Sequence, residues 1–267
     1  MRTGIKTALS VLAILALLAS FATLTGCKSE DTLLLYTECG LPPYEFDYNN
    51  EIVGVDIEIA RAVADELGKK LVIRDVNFDN ILSGVQSGKA DLGAAGITIR
   101  EDRKENLDFS IPYSSSEQYV IVQAGQPIPS VEDLSGKQIG FQQGTTSDFL
   151  VEDLIKAGKI TSAELTGYNT PVIAAAALGK IDAVVADQLT AEIIVAGSNG
   201  TLLAGRLAMA DGTSAGEVEE YGVIVSKGNT EMLEVVNRVI TRLLEDGSIE
   251  QWTDKYNHLA TEGESAE

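Results

Sequence analysis

Two stretches, LSGVQSGKADLGAAG at residues 82–96 and IAAAALGKIDAVVAD at residues 173–187, read as one pattern written twice. In each, a run of small residues with helical period stops at a glycine. A lysine, an alanine or apolar residue, an aspartate and a short buried strand then follow. A helix feeding an apolar strand is the building unit of a parallel α/β sheet. Finding it in both halves of the chain predicts two lobes of similar construction. From Asp31 onward, short runs rich in Val, Ile and Leu alternate with helical stretches, so the chain reads as α/β with a mainly parallel sheet flanked by helices in each lobe.

Working outward, Leu33 to Tyr36 and Leu71 to Arg74 read as strands. Asp56 to Leu67 reads as a helix with Ile59, Val63 and Leu67 on one face, acids complementing its N-terminal dipole, and Gly68 as its stop. Asn229 to Leu244 is amphipathic, Asp246-Gly247 breaks it, and a second helix is expected around Ile249 to Tyr256. From Thr261 the chain offers nothing apolar to bury, so residues 261–267 read as a disordered tail.

At the other end, Arg2 and Lys6 precede an apolar run from Leu9 to Phe21, the order of an export signal and too short for a comfortable membrane span. The run closes in Leu24-Thr25-Gly26-Cys27, which resembles the bacterial lipobox. Residues 1–26 are then expected to be a lipoprotein signal peptide, cut off immediately N-terminal to Cys27, the residue that takes the lipid. The alternative is an uncleaved anchor. The expected location is extracytoplasmic, tethered at Cys27 in the periplasm or on the outer face of the cytoplasmic membrane.

Forty acidic against twenty basic residues give a net charge of −20, which argues against nucleic acid as a partner. With Cys27 lipidated, Cys39 is the one thiol left, so no internal disulfide forms, and a buried, inert Cys39 is expected. A single histidine, His258, and one free cysteine argue against a zinc site, and no cofactor is expected.

Open sheets present ligands at the carboxyl ends of their strands, so polar residues just past the predicted strands are the candidates. Arg103, after the strand Leu92 to Gly96, has the planar fork to grip a carboxylate, or is a surface arginine in a charged run. Thr98 offers a hydroxyl to the same group or satisfies its own turn. Gln142, Gly144, Thr145 and Thr146 open a helix whose free N–H groups suit an anion, or simply cap it. Asp187 ends the second repeat, where it accepts from an ammonium group or caps the next helix. Phe78 and Tyr44 are apolar walls or core, and Glu38 faces a polar or cationic side chain or the solvent.

These segments, in this order, resemble the family 3 bacterial extracellular solute-binding proteins, the amino-acid binders of ABC importers. GVDIEIARAVADELG at 54–68, AGITIREDRKENLDFSIPY at 95–113 and YGVIVSKGN near the end carry the likeness. Val55 stands where the family usually has a larger or aromatic residue.

The resemblance implies a type II periplasmic-binding-protein fold, with lobe 1 at 32–112 plus 222–260, lobe 2 at 118–216, and hinges at 113–117 and 217–221. It implies Arg103, Thr98 and Thr146 on a ligand carboxylate, and the Gly96 carbonyl with Asp187 on its ammonium. Phe78 packs on the side chain and Gln142 lines the second lobe. Glu38 stands where binders of basic amino acids have an aspartate, and Leu41 where they place an aromatic ring. The implied function is capture of a free L-amino acid, polar or cationic, by a monomer that delivers it to the membrane subunits of an ABC permease. Two other readings remain at this point. One is an exported dehydratase of the cyclohexadienyl type, for which Glu38 is the only acid on offer, and the other is a sensory module that presents its ligand to a receptor.

Overall fold

The computed structural model describes residues 31–263, and the compact body from Leu33 onward holds both sheets. The expected signal peptide, Cys27 and residues 264–267 lie outside the described residues. The chain begins with β1 (Thr32–Thr37), the hairpin β2 (Phe46–Tyr48) and β3 (Glu51–Val53), α1 (Val55–Glu66), β4 (Lys70–Asp75), α2 (Phe78–Gln86), β5 (Leu92–Gly93), α3 (Glu101–Lys104) and β6 (Leu107–Phe109). It then passes through β7 (Ser114–Ser116) into β8 (Gln118–Gln123), β9 (Gln138–Gln142), α4 (Thr146–Lys156), β10 (Glu164–Tyr168), α5 (Pro171–Ala176), β11 (Ala183–Asp187), α6 (Gln188–Gly197) and β12 (Leu202–Arg206). It returns through β13 (Glu219–Tyr221) to β14 (Ile224–Ser226), α7 (Thr230–Glu245) and α8 (Ser248–Gly263).

Two five-stranded sheets result, in the orders β4-β1-β5-β14-β6 and β10-β9-β11-β8-β12. β1 pairs parallel with β5, and β9 pairs parallel with β10 and β11. One strand in each sheet, β14 or β8, runs against its neighbours. These are the strands that bring the chain across from the other sheet, so they enter from the opposite end. The crossings themselves, β7 and β13, pair antiparallel as a two-stranded ribbon with Glu219 opposite Ser116 and Tyr221 opposite Ser114.

The repeat has a shared structural purpose. Asp91 accepts from the Leu34 N–H at 2.9 Å and its own N–H donates back to the Leu34 carbonyl. Asp182 makes the same reciprocal pair with Gln138 in the second sheet. Each repeat aspartate therefore fixes the start of its strand to the neighbouring parallel strand, β1 in the first sheet and β9 in the second.

Alternation along β8 puts Val120 and Val122 into one core cluster and Ile121 into another, so both faces of the second sheet are covered. In the first sheet Leu33 and Leu35 are fully buried against α1 and α7 through Ile59, Val63, Val236 and Ile240.

α8 extends beyond the expected Tyr256 to Gly263, so it takes in the first three residues of the stretch 261–267 read as a tail. Tyr256 packs edge-on against Phe46 and donates to Glu58 at 2.6 Å, while Leu259 and Ala260 reach the core. The Thr261 hydroxyl donates to the Asn257 and His258 carbonyls and carries the helix onward. Among the described residues no helix is long and apolar enough to cross a membrane.

Candidate functional site

A small cavity of about 20 Å³ lies where the carboxyl ends of β1, β5, β9 and β11 converge. Glu38 and Leu41 enter it from the loop after β1, and Phe78 from the first turn of α2. Gly96, Thr98 and Arg103 come from the segment after β5. Gln142, Thr145, Thr146 and Asp187 complete it from the second sheet. Ten of the eleven residues expected to hold a ligand are thus together.

Tyr44 is the exception. It is buried beneath the cavity, with its hydroxyl 2.9 Å from the Ser114 hydroxyl and its ring edge-on to Tyr221 at 5.2 Å. The cause is local. Leu41 and Glu45 bridge to each other across a tight turn, so those two side chains border the cavity while Tyr44 packs into the core with Tyr221.

Arg103 is 8 % exposed and aims its guanidinium across the cleft, with Nη1 donating to the Thr98 carbonyl at 3.0 Å and Nη2 to the Gly144 carbonyl at 3.4 Å. It lies 5.4 Å over the Phe78 ring. Burial pulls it down to about 10, so it stays cationic at neutral pH. Among the described residues no other lysine or arginine borders the cavity.

Two carboxylates, Glu38 and Asp187, border the same cavity. Burial raises Glu38 to about 7, even though it accepts from the Phe78 N–H at 3.0 Å and from the Gln142 amide. Asp187, at the N-cap of α6, makes no side-chain capping bond and instead accepts from the Gln118 amide at 2.6 Å. Burial and the neighbouring Glu219 carboxylate push it up to about 7.

Gly96 has φ of +52°, and a Cβ there would meet Leu41 Cδ2 at 2.7 Å, so both conformation and space require glycine. Its N–H donates to Asp56 at 2.9 Å, which holds the Gly96 turn in place.

Three residues escaped the sequence reading. Glu45 is fully buried beside Asp56, and burial followed by the Asp56 charge raises it well above the usual carboxylate range. Burial raises Asp56 itself to about 6. The signal available was Glu45 within Pro-Pro-Tyr-Glu-Phe, an acid among apolar residues. Gln118 bridges Asp187 to Glu219 and accepts from the Ser147 hydroxyl at 2.6 Å. Glu219 itself accepts from Thr98 at 2.8 Å and Thr146 at 2.7 Å, although its setting in Glu217-Val218-Glu219-Glu220 reads as solvated charge.

Cys39 is half-buried rather than buried, and burial lifts its thiol to about 11, which leaves it unreactive. Thr145 returns its hydroxyl to the Gln142 carbonyl at 2.8 Å.

The fold that carries this cavity matches proteins of known structure. An amino-acid ABC-transporter substrate-binding protein of Streptococcus pneumoniae, solved with L-arginine, superposes with a TM-score of 0.79 at 28% identity over 88% of this chain and 98% of that one. An ancestral arginine-binding protein solved with arginine gives 0.75 at 36% identity over 85% and 98%. The same two-lobed type II periplasmic-binding-protein fold is therefore present here. Among curated relatives, the L-cystine-binding protein of Escherichia coli is 28% identical over 87% of this chain and 85% of its own. A histidine-binding protein described as probable, from Campylobacter jejuni, is 30% identical over 84% of each. These relatives are substrate-binding transport proteins, not enzymes. The model of the bacterial extracellular solute-binding proteins, family 3, matches residues 33–258, and the chain belongs to that family.

Proposed function

We propose that this chain captures a free, cationic L-amino acid between its lobes and hands it to an ABC import permease. The observation that carries this reading is the charge content of one cavity: the Arg103 guanidinium with the Glu38 and Asp187 carboxylates. A cationic amino acid has three charges and the cavity has three counterparts. Its α-carboxylate goes to Arg103, helped by the Thr98 and Thr146 hydroxyls. Its α-ammonium goes to Asp187 and the Gly96 carbonyl, and its side-chain cation to Glu38, beside the Phe78 ring. A neutral polar amino acid satisfies the first two and leaves Glu38 to Gln142. Glu38 is engaged by Gln142 and the Phe78 N–H, which speaks against its use as the free acid of a dehydratase.

Lobe 1 is taken as 32–112 plus 222–260, lobe 2 as 118–216, and the hinges as 113–117 and 217–221. Two crossings restrict the lobes to bending, so a ligand touching both favours the closed form by its differential affinity. The closed form is what the permease reads. We further infer that the chain acts as a monomer, exported and anchored through lipid on Cys27.

A thermal-shift screen with the twenty amino acids tests the reading. Arginine and lysine are expected to raise the melting temperature most, since only binding to the folded state stabilises it. Glu38→Gln should shift the preference toward glutamine. No response to any amino acid would sink the proposal.

A further inference from the structure

The carboxylate end of the cavity already has a carboxylate of this chain. Glu219 Oε2 accepts from the Thr98 hydroxyl of one lobe at 2.8 Å and from the Thr146 hydroxyl of the other at 2.7 Å. Its Oε1 accepts from Gln118 at 3.1 Å, and its negative charge also reaches Arg103. A threonine hydroxyl has a single proton to give. While both donate to Glu219, neither donates to a bound amino acid.

A second feature gives Glu219 somewhere to go. Thr98 and Thr146 border the ligand cavity and also a separate open groove, and Glu219 lines that groove with Arg100 and Lys104, which pair with Asp102 and Glu101, and with Glu217, Glu220 and Asp153. Its backbone lies in β13, the return crossing, opposite Ser116 of the outgoing one. The residue that spans the two lobes is thus carried by the element that bends when they part.

We propose that Glu219 is a hinge-borne latch: it stands in for the ligand's α-carboxylate, ties the lobes together in the free protein, and sets affinity by competing for Thr98 and Thr146. This rests on the amino-acid-binding reading above. On binding, the ligand carboxylate takes the two hydroxyls and Glu219 withdraws into the groove toward Arg100 and Lys104. The latch costs affinity in proportion to its occupancy, because only the unlatched fraction accepts ligand.

The test compares wild type with Glu219→Gln and Glu219→Ala. The glutamine variant keeps the size of the side chain and the β7–β13 ribbon. Titration calorimetry with L-arginine should show both variants binding more tightly, by about tenfold if the latch is closed nine-tenths of the time. X-ray scattering of the proteins without ligand should show a larger radius of gyration for both variants than for wild type. Weaker or unchanged arginine binding overturns the proposal, because Glu219 would then be a ligand contact or a bystander. An unchanged radius of gyration also overturns it. If no form binds any amino acid, the functional reading fails, and scattering alone decides the latch.

Discussion

Glu38 and Asp187 are carboxylates held near neutrality, and that gives the cleft a pH signature. Both sit at about 7, well above the value near 4 that each has in an unfolded chain. The folded state therefore keeps protons that the unfolded state has released between about pH 4 and pH 7, and stability falls as pH rises through that window. The free protein should melt at lower temperature at pH 7.5 than at pH 5, with a shallower decline in Glu38→Gln, as differential scanning calorimetry would show. Ligand affinity moves the other way, since a cation needs both groups ionised. Arginine binding at pH 7 should release about one proton in total, read from the dependence of calorimetric enthalpy on buffer, and Glu38→Gln should release about half as much. No proton release in wild type would contradict the roles given to Glu38 and Asp187.

At the scale of elements, local pattern and tertiary context divide the work. The repeat was legible because helix, glycine and apolar strand each follow from period and composition, and the matching aspartates bind matching neighbours in the two sheets. α7 was legible too: Asn229 caps it by accepting from the Met232 N–H, and Val236, Val239, Ile240 and Leu243 form its buried face. Asn229→Ala should lower stability by about 1 kcal/mol in denaturant unfolding and leave ligand affinity unchanged. A loss of affinity would mean that the cap positions more than its own helix. What escaped were residues whose place depends on the lobes meeting. Tyr44 and Glu45 trade places because a tight turn, not a strand, carries them, and nothing local distinguishes Glu219 from the solvated acids beside it. The end of α8 was missed because Leu259 and Ala260 find their partners on distant elements.

At the scale of the whole molecule, the two sheets are joined by two crossings that pair with each other, and the cleft between the sheets is closed by contacts from both sides. Arg103 reaches the Gly144 carbonyl, Gln142 reaches Glu38, and a Cβ at Gly144 would meet Asp79 at 2.3 Å, so the two faces approach as closely as glycine permits. A structure of this kind converts a small ligand into a change of shape, and the conversion depends on the groups that grip it from both faces. Among the described residues Arg103 is the one lysine or arginine bordering the cavity, and removing it would leave the ligand carboxylate buried without a match. The most direct measurement is titration calorimetry of L-arginine into wild type and Arg103→Met at pH 8. The account predicts one arginine per chain for wild type and a loss of about 2 to 5 kcal/mol, thirtyfold or more in affinity, for the variant. Affinity within about threefold of wild type in Arg103→Met would contradict it.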